Sequence, residues 1–282
     1  MTEKPILVIG GTGKTGSRVV RRLESRGVPV RVASRRSELR FDWRDESTWG
    51  PALEGASGVY IVQYDAQPSK TRTLAARAAE AGVERLVLLS ARGVEIPDYY
   101  GESNAVSEGF LTSEAAVRES GLAWTVLRPG WFAQNFDEGF FNDGILAGEL
   151  RLPAGDGAAS WIDVDDIAAV AVAALTEDGH AGRIYELSGP SAVPLDEALG
   201  LINKATGRSA RYVPLTLDEF VAENVANGAT ATEAKLWAAA LLPVSSGQER
   251  KVSEGVRQAL GRDAADFASF VESAAAAGAW RR

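Results

Sequence analysis

Gly10, Gly11, Gly13 and Gly16 crowd into one short stretch with Lys14 and Thr15, between the apolar run Ile6 to Ile9 and an amphipathic helical pattern. Gly11, Gly13 and Gly16 satisfy G-x-G-x-x-G, and Gly10, Gly13 and Gly16 equally satisfy G-x-x-G-x-x-G. Set between a strand and a helix, such a loop is built to hold a dinucleotide. The glycines turn tightly and let the backbone approach a pyrophosphate, and the free N–H groups and dipole of the next helix hold its charge. Gly13-Lys14-Thr15 also looks like the end of a P-loop. That motif needs a glycine where Val8 stands, inside the strand. A plain turn with no ligand would leave a very flexible backbone without a reason for it.

The end of the second strand bears on which dinucleotide fits. A site for NAD places Asp or Glu there to bond the ribose 2′-hydroxyl. This chain has Ser34-Arg35-Arg36. An arginine binds a 2′-phosphate through two parallel charge-assisted hydrogen bonds, whereas a carboxylate repels it. With Lys14 as a second positive charge, the expectation is NADP(H) over NAD(H); the other reading is a solvated basic loop.

The elements that must position these residues alternate along the first half. Strands are expected at Ile6 to Ile9, Val28 to Ala33, near Phe41-Asp42, Gly58 to Val62, Arg85 to Ser90 and Trp124 to Leu127. Helices are expected at Lys14 to Arg26, Thr71 to Ala81 and Glu108 to Ser120. The nearly unbroken apolar run in the fifth strand suits a parallel sheet buried on both faces. Right-handed crossovers then give an α/β class, a doubly wound parallel Rossmann sheet. After Pro129-Gly130 the pattern changes to the aromatic-rich stretch Trp131 to Phe141. A helix capped by Asp163 or Asp165 runs to Leu175, and Arg183 to Leu187 could add a strand. Beyond Pro194, helices are expected at Leu195 to Ala205, Leu217 to Asn227, Thr230 to Leu242 and Ala264 to Ala277, with a strand at Tyr212-Val213. This divides the chain into a cofactor-binding domain, 1–134 and 158–189, and a smaller, mainly helical lobe, 135–157 and 190–282, over the sheet's C-terminal edge.

Composition narrows the functions. Hydrophobic residues make up 45% and charged residues 24%, as in an ordinary globular protein, and a net charge of −8 disfavours a nucleic-acid surface. There is no cysteine, so no disulfide framework or thiolate chemistry, and one histidine, which rules out a multi-histidine metal cage. His180 lies in a polar turn and is expected at the surface. Asp163, Asp165 and Asp166 are better read as a helix start than as a metal site, so no metal is expected. Trp237 and Trp280 are expected to be packing residues in helices. No apolar run approaches the ~20 residues that span a bilayer, and the first strand begins too early for a signal peptide. The expectation is a cytoplasmic protein with no membrane or nucleic-acid partner, a homodimer being allowed.

The chain resembles the NmrA-like atypical short-chain dehydrogenases/reductases, and among them the bacterial type-2 quinone oxidoreductases. The resemblance rests on residues 8–16, on 120–135 with its Leu127-Arg128-Pro129-Gly130-Trp131-Phe132 core, on 161–168 and on 184–189. It implies positions for the cofactor. Gly10, Thr12, Gly13, Lys14, Thr15 and Gly16 would surround the pyrophosphate, Arg35 the 2′-phosphate, and Asp42 and Trp43 the adenine. Val62, Gln63, Ser90, Ala91 and Pro129 would lie along the ribose and nicotinamide.

One departure matters. Typical short-chain dehydrogenases use Tyr-x-x-x-Lys, in which the lysine and the ribose make the tyrosine a proton donor. Here Tyr99 and Tyr100 are followed four residues on by Ser103 and Asn104, and no lysine occurs between Lys70 and Lys204. Two outcomes follow. In one, NADPH passes hydride to an acceptor needing little acid help, a quinone or other conjugated or aromatic carbonyl, with Tyr99, Tyr100 and Ser90 as candidate proton donors. In the other, the chain is a non-catalytic redox sensor that reports the NADP(H) state to a partner. The enzyme reading draws on Trp131, Phe132 and Phe136, which could stack on a flat acceptor, and on Asn135, which could bond it or cap a helix. Phe140 and Phe141 fit a hydrophobic seam between the lobes equally well.

Overall fold

The computed structural model describes residues 4–63, 66–101 and 105–281. Seven parallel strands form the central sheet: β1 (Ile6–Ile9), β2 (Val30–Ser34), β3 (Leu39–Arg40), β4 (Gly58–Val62), β5 (Arg85–Leu89), β6 (Ala123–Pro129) and, after two short strands, β7 (Glu149–Leu152) and β8 (Ala158–Ala159), β9 (Arg183–Leu187). Their order is β3-β2-β1-β4-β5-β6-β9, so the crossovers reverse direction between β1 and β4. Side chains alternate across the sheet. Ile6 and Val8 face a core shared with α1 (Lys14–Ser25), whereas Leu7 and Ile9 face one shared with α2 (Trp49–Leu53) and α3 (Lys70–Glu80). Both faces are covered, as a doubly wound parallel sheet requires. The Rossmann expectation is met, with strand and helix ends moved by up to three residues.

α4 (Ala105–Arg118) precedes β6; α5 (Asn142–Ala147) and α6 (Val164–Thr176) follow it. Asp163 caps α6 by accepting from the Asp165 N–H at 2.8 Å, the cap the sequence called for. After β9 the chain continues through β10 (Val193–Pro194), α7 (Leu195–Thr206), β11 (Arg211–Pro214), α8 (Leu217–Ala226), α9 (Ala231–Ser245), α10 (Gly255–Leu260) and α11 (Phe267–Ala276). β11 pairs with β7 in parallel, which makes the expected Tyr212-Val213 strand part of a two-stranded sheet. The lobe has its own core of Phe136, Phe141, Trp161, Phe267 and Phe270 with the apolar faces of α7 and α9.

Several expectations need correction. The C-terminal helix expected from Ala264 begins at Phe267, because Asp266 caps it there by accepting from Ser269 N–H. α10 was missed, and its Val256 packs in the sheet core with α6, so 255–260 belongs with the larger layer and not with the smaller lobe. Trp280 packs as expected but lies past α11, in the left-handed region at φ 59°. Trp237 is in α9, yet 37% exposed. His180 is buried, 7% exposed, with its ring nitrogen 2.9 Å from the Tyr185 hydroxyl, and burial lowers its pKa. A short polar turn reads as surface in sequence; here Tyr185 on β9 folds over it. Among the described residues no helix is long and apolar enough to cross a membrane, and no group of three acidic, histidine or cysteine side chains could hold a metal.

Candidate active site

The glycine loop is shaped by close backbone approach. Gly10 has φ 73°, a conformation that favours glycine, and its carbonyl accepts from Gly13 N–H at 2.8 Å. Gly16 sits against that same carbonyl: a Cβ there would overlap the oxygen and fall 2.8 Å from its carbon and 2.9 Å from the Gly11 Cα. Gly16 is therefore a packing residue that seats α1 on the loop. α1 has Gly13 as its N-cap, with no side-chain cap and no acid in its first turn, unlike α6, which is capped by Asp163 and carries Asp165 and Asp166 in its first turn. The positive end of α1 is thus left for a ligand's negative charge.

In front of the loop lies a cavity of about 510 Å³. Gly10, Thr12, Gly13, Lys14, Thr15, Arg35, Asp42, Trp43, Val62 and Gln63 all line it, so residues from the ends of β1, β2 and β4 and the turn after β3 meet in one place. The backbone cradle, the open helix end and the exposed Arg35 fit a phosphorylated dinucleotide. Arg44 also lines this cavity beside Arg35; the sequence reading passed over it because it follows an irregular turn. Trp43 is held edge-on to Phe41 and Trp49, at 5.2 and 5.6 Å between ring centroids, which fixes that wall of the cavity. Arg35→Asp puts a negative charge in place of a positive one on the cavity wall, which is expected to repel a 2′-phosphate. It is expected to weaken NADPH binding by about a hundredfold while changing NADH binding little. Dissociation constants for both cofactors, measured on both proteins, check this; an unchanged ratio between them refutes it.

A second cavity, about 430 Å³, continues from the first. Lys14, Val62, Gln63, Leu89 and Phe132 line both. Ser90, Ala91, Pro129, Trp131, Phe132, Asn135, Tyr100 and Phe110 wall the second one. Lys14 donates to Asn135 Oδ1 at 3.2 Å, tying the glycine loop to the segment after β6, and burial lowers its pKa.

The candidate hydroxyls behave differently from one another. Ser90 Oγ donates to Glu114 at 2.6 Å, and Glu114 is clamped by Arg128 through two hydrogen bonds of 2.8 and 2.6 Å. Tyr100 donates to the Arg92 carbonyl at 2.7 Å. Both line the second cavity with their protons already committed. Tyr99 corrects the sequence reading: it lines neither cavity, is buried, and donates to Glu249 at 2.6 Å. Burial and the Glu249 charge push its pKa far up. Phe136 is a second correction. It is 0% exposed, between Phe141, Trp161 and Phe267 in the core of the smaller lobe, because apolar area is better buried there than on the cavity wall. Ser103 and Asn104 lie outside the described residues.

Glu249 went unnoticed in the sequence. It lies in the C-terminal part, which carries no motif, yet it lines the second cavity and pairs with buried Arg92 at 3.4 Å. Arg92 also donates to Ser160 Oγ at 3.1 Å and to the Lys251 carbonyl at 2.9 Å, so these bonds strap 249–251 across the sheet edge. Burial raises the Glu249 pKa against the pull of Arg92. Only the tertiary fold brings that strap to the cavity.

Asp137 supplies a pH test. Burial, with Glu138 beside it, pushes its carboxyl up to about 6, while Arg18 opposes this. The folded chain thus holds this proton more tightly than the unfolded chain, whose aspartates titrate near about 3.9. Relative to Asp137→Asn, the wild type should lose stability as pH rises from about 4 to about 6 and hold level above that. Thermal unfolding of the two proteins across this range reads the difference; parallel curves contradict it.

The comparisons with known proteins agree with this geometry. Residues 10–178 match a family model described as NAD(P)H-binding. An NAD(P)H azoreductase of Xenophilus azovorans is 35% identical, over 96% of this chain and 98% of its own. A (4-alkanoyl-5-oxo-2,5-dihydrofuran-3-yl)methyl phosphate reductase of Streptomyces griseus is 38% identical over 76% of this chain and 78% of its own. The fold superposes on an NADPH-dependent quinone oxidoreductase of Escherichia coli with a TM-score of 0.78 at 24% identity, covering 95% and 98% of the two chains. The resemblance read from residues 8–16 and 120–135 therefore holds, and the chain belongs to the NAD(P)H-binding family.

Proposed function

We propose that the chain is an NADPH-dependent reductase that passes hydride to a quinone or another conjugated or aromatic carbonyl. The observation that carries this reading is the continuity of the two cavities, one fitted to a phosphorylated dinucleotide and the other walled by Trp131, Phe132, Phe110 and Tyr100. Bound in the first, the reduced cofactor supplies a hydride. The chain's own residues do the rest. The wall shared between the cavities brings acceptor and cofactor together, and flat rings stack on a flat acceptor. Lys14 places a cationic group in that wall, where negative charge on a reduced oxygen is stabilised. Ser90 and Tyr100 turn oxygen lone pairs toward the cavity, because their protons are held by Glu114 and the Arg92 carbonyl. No Tyr-x-x-x-Lys relay is present in the sequence. An acceptor that is easily reduced, and whose product oxygen takes its proton from water, suits these walls.

The test is loss of reduced-nicotinamide absorbance with a panel of quinones and aromatic ketones. Turnover with quinones, preferring NADPH over NADH, is the expected result. Tight NADPH binding with no turnover of any acceptor would overturn it in favour of a redox sensor.

A further inference from the structure

The acceptor cavity does not end at its aromatic walls. Ala240 on α9 lines it, and Trp237 stands one turn earlier on the same face of that helix. The Trp237 ring meets Phe140 edge-on at 6.1 Å, Phe140 meets Phe141 at 5.8 Å, and Phe141 stacks on the cavity-lining Trp131 at 5.6 Å. A path of rings thus leads from the cavity wall to the surface and returns along α9. At its outer end the rings are left in water: Phe140 is 44% exposed and Trp237 37%. Phe141, its sequence neighbour, is fully buried. Two large exposed aromatics in contact with each other thus lie one helical turn from the cavity-lining Ala240, on the face of α9 that carries it.

We propose that Phe140, Trp237 and Ala240 form a subsite for an apolar chain attached to the acceptor, an alkyl or isoprenoid substituent that leaves the cavity along α9. The site selects an acceptor with a flat polar head and a long apolar tail over the same head alone. The inference rests on the reductase reading for the nature of the head group. The tail contributes through burial of its methylenes on the rings, an effect that grows with chain length and needs no polar contact.

The experiment compares a benzoquinone carrying an n-decyl chain with the same ring without it, each titrated onto the NADP⁺-loaded protein. The wild type is expected to bind the decyl compound about a hundredfold more tightly, and Phe140→Ser with Trp237→Ser to lower that preference about tenfold while binding the short ring unchanged. Both substituted positions are partly exposed, and a melting curve together with unchanged short-ring binding shows that the double variant is folded. An equal tail preference in wild type and variant overturns the subsite. So does a stable dimer that the double variant abolishes, because a second copy would then cover the patch. Turnover of the short quinone without tail preference overturns the subsite alone. Tail preference without turnover of either quinone overturns the reductase reading alone. Failure of both compounds to bind overturns both.

Discussion

Gly16→Ala is expected to weaken NADPH binding by about a hundredfold and to destabilise the chain by about 1–3 kcal/mol. Its added Cβ would overlap the Gly10 carbonyl oxygen, with the Gly10 carbon at 2.8 Å and the Gly11 Cα at 2.9 Å. These are backbone atoms, and no rotamer change relieves them. α1 must move away from the loop, and the loop carries the Gly10 turn that shapes the phosphate cradle. The strain therefore falls on binding as well as on folding. Gly200→Ala in α7 is the control, because a Cβ there meets nothing within 4 Å. That change should leave binding alone and stabilise the helix by about 0.5–1 kcal/mol. NADPH affinity in Gly16→Ala equal to that of the wild type would mean that the contact between α1 and the loop does not shape the site.

Glu114→Leu is expected to cost about 3–5 kcal/mol of stability, because it leaves the Arg128 guanidinium buried without its main partner. Arg128 is 4% exposed and Glu114 1%, and their two hydrogen bonds run inside the protein. Glu95, the other carboxylate on Arg128, is on the solvent side and mostly exposed, so it compensates only weakly. Adding Arg128→Met to Glu114→Leu should restore most of the loss, since two apolar side chains replace a buried ion pair without leaving a lone charge. Denaturant unfolding of the two variants reads both effects. A loss under about 1 kcal/mol in Glu114→Leu would show that water or Glu95 satisfies Arg128. The same substitution releases the Ser90 hydroxyl, so any change in acceptor affinity beyond the stability loss reports on how Ser90 is oriented.

These two sites differ in how far sequence alone reveals them. The glycine loop is a local feature: its spacing, the apolar strand before it and the amphipathic helix after it are all contained in residues 6–20. Arg35 follows from the same local logic, as the residue at the end of the next strand. The Ser90, Glu114 and Arg128 network joins three elements, and nothing in the spacing of those residues announces that it closes. Asp163 as the cap of α6 was legible because capping depends on a residue's immediate successors. Tyr99 and Tyr100 are neighbours in sequence, yet one is sealed against Glu249 and the other lines the second cavity. The ring that turns inward, Tyr99, finds its partner 150 residues away.

The sequence by itself determined the class of fold, the order of its strands' appearance and the charge and position of a dinucleotide loop, because strand alternation, helix periodicity and turn chemistry act over a few residues. Tertiary structure alone decided which aromatics are core and which are wall. Phe136 fills an apolar core, Trp131 and Phe132 wall the second cavity, and Phe140 and Trp237 stay exposed. Tertiary structure also brought Glu249, from the unremarked C-terminal part, to the cavity beside Arg92. Apolar burial is non-directional, so a run of aromatic residues specifies that rings will be buried without specifying against what. The partner is set only when the lobe closes on the sheet edge.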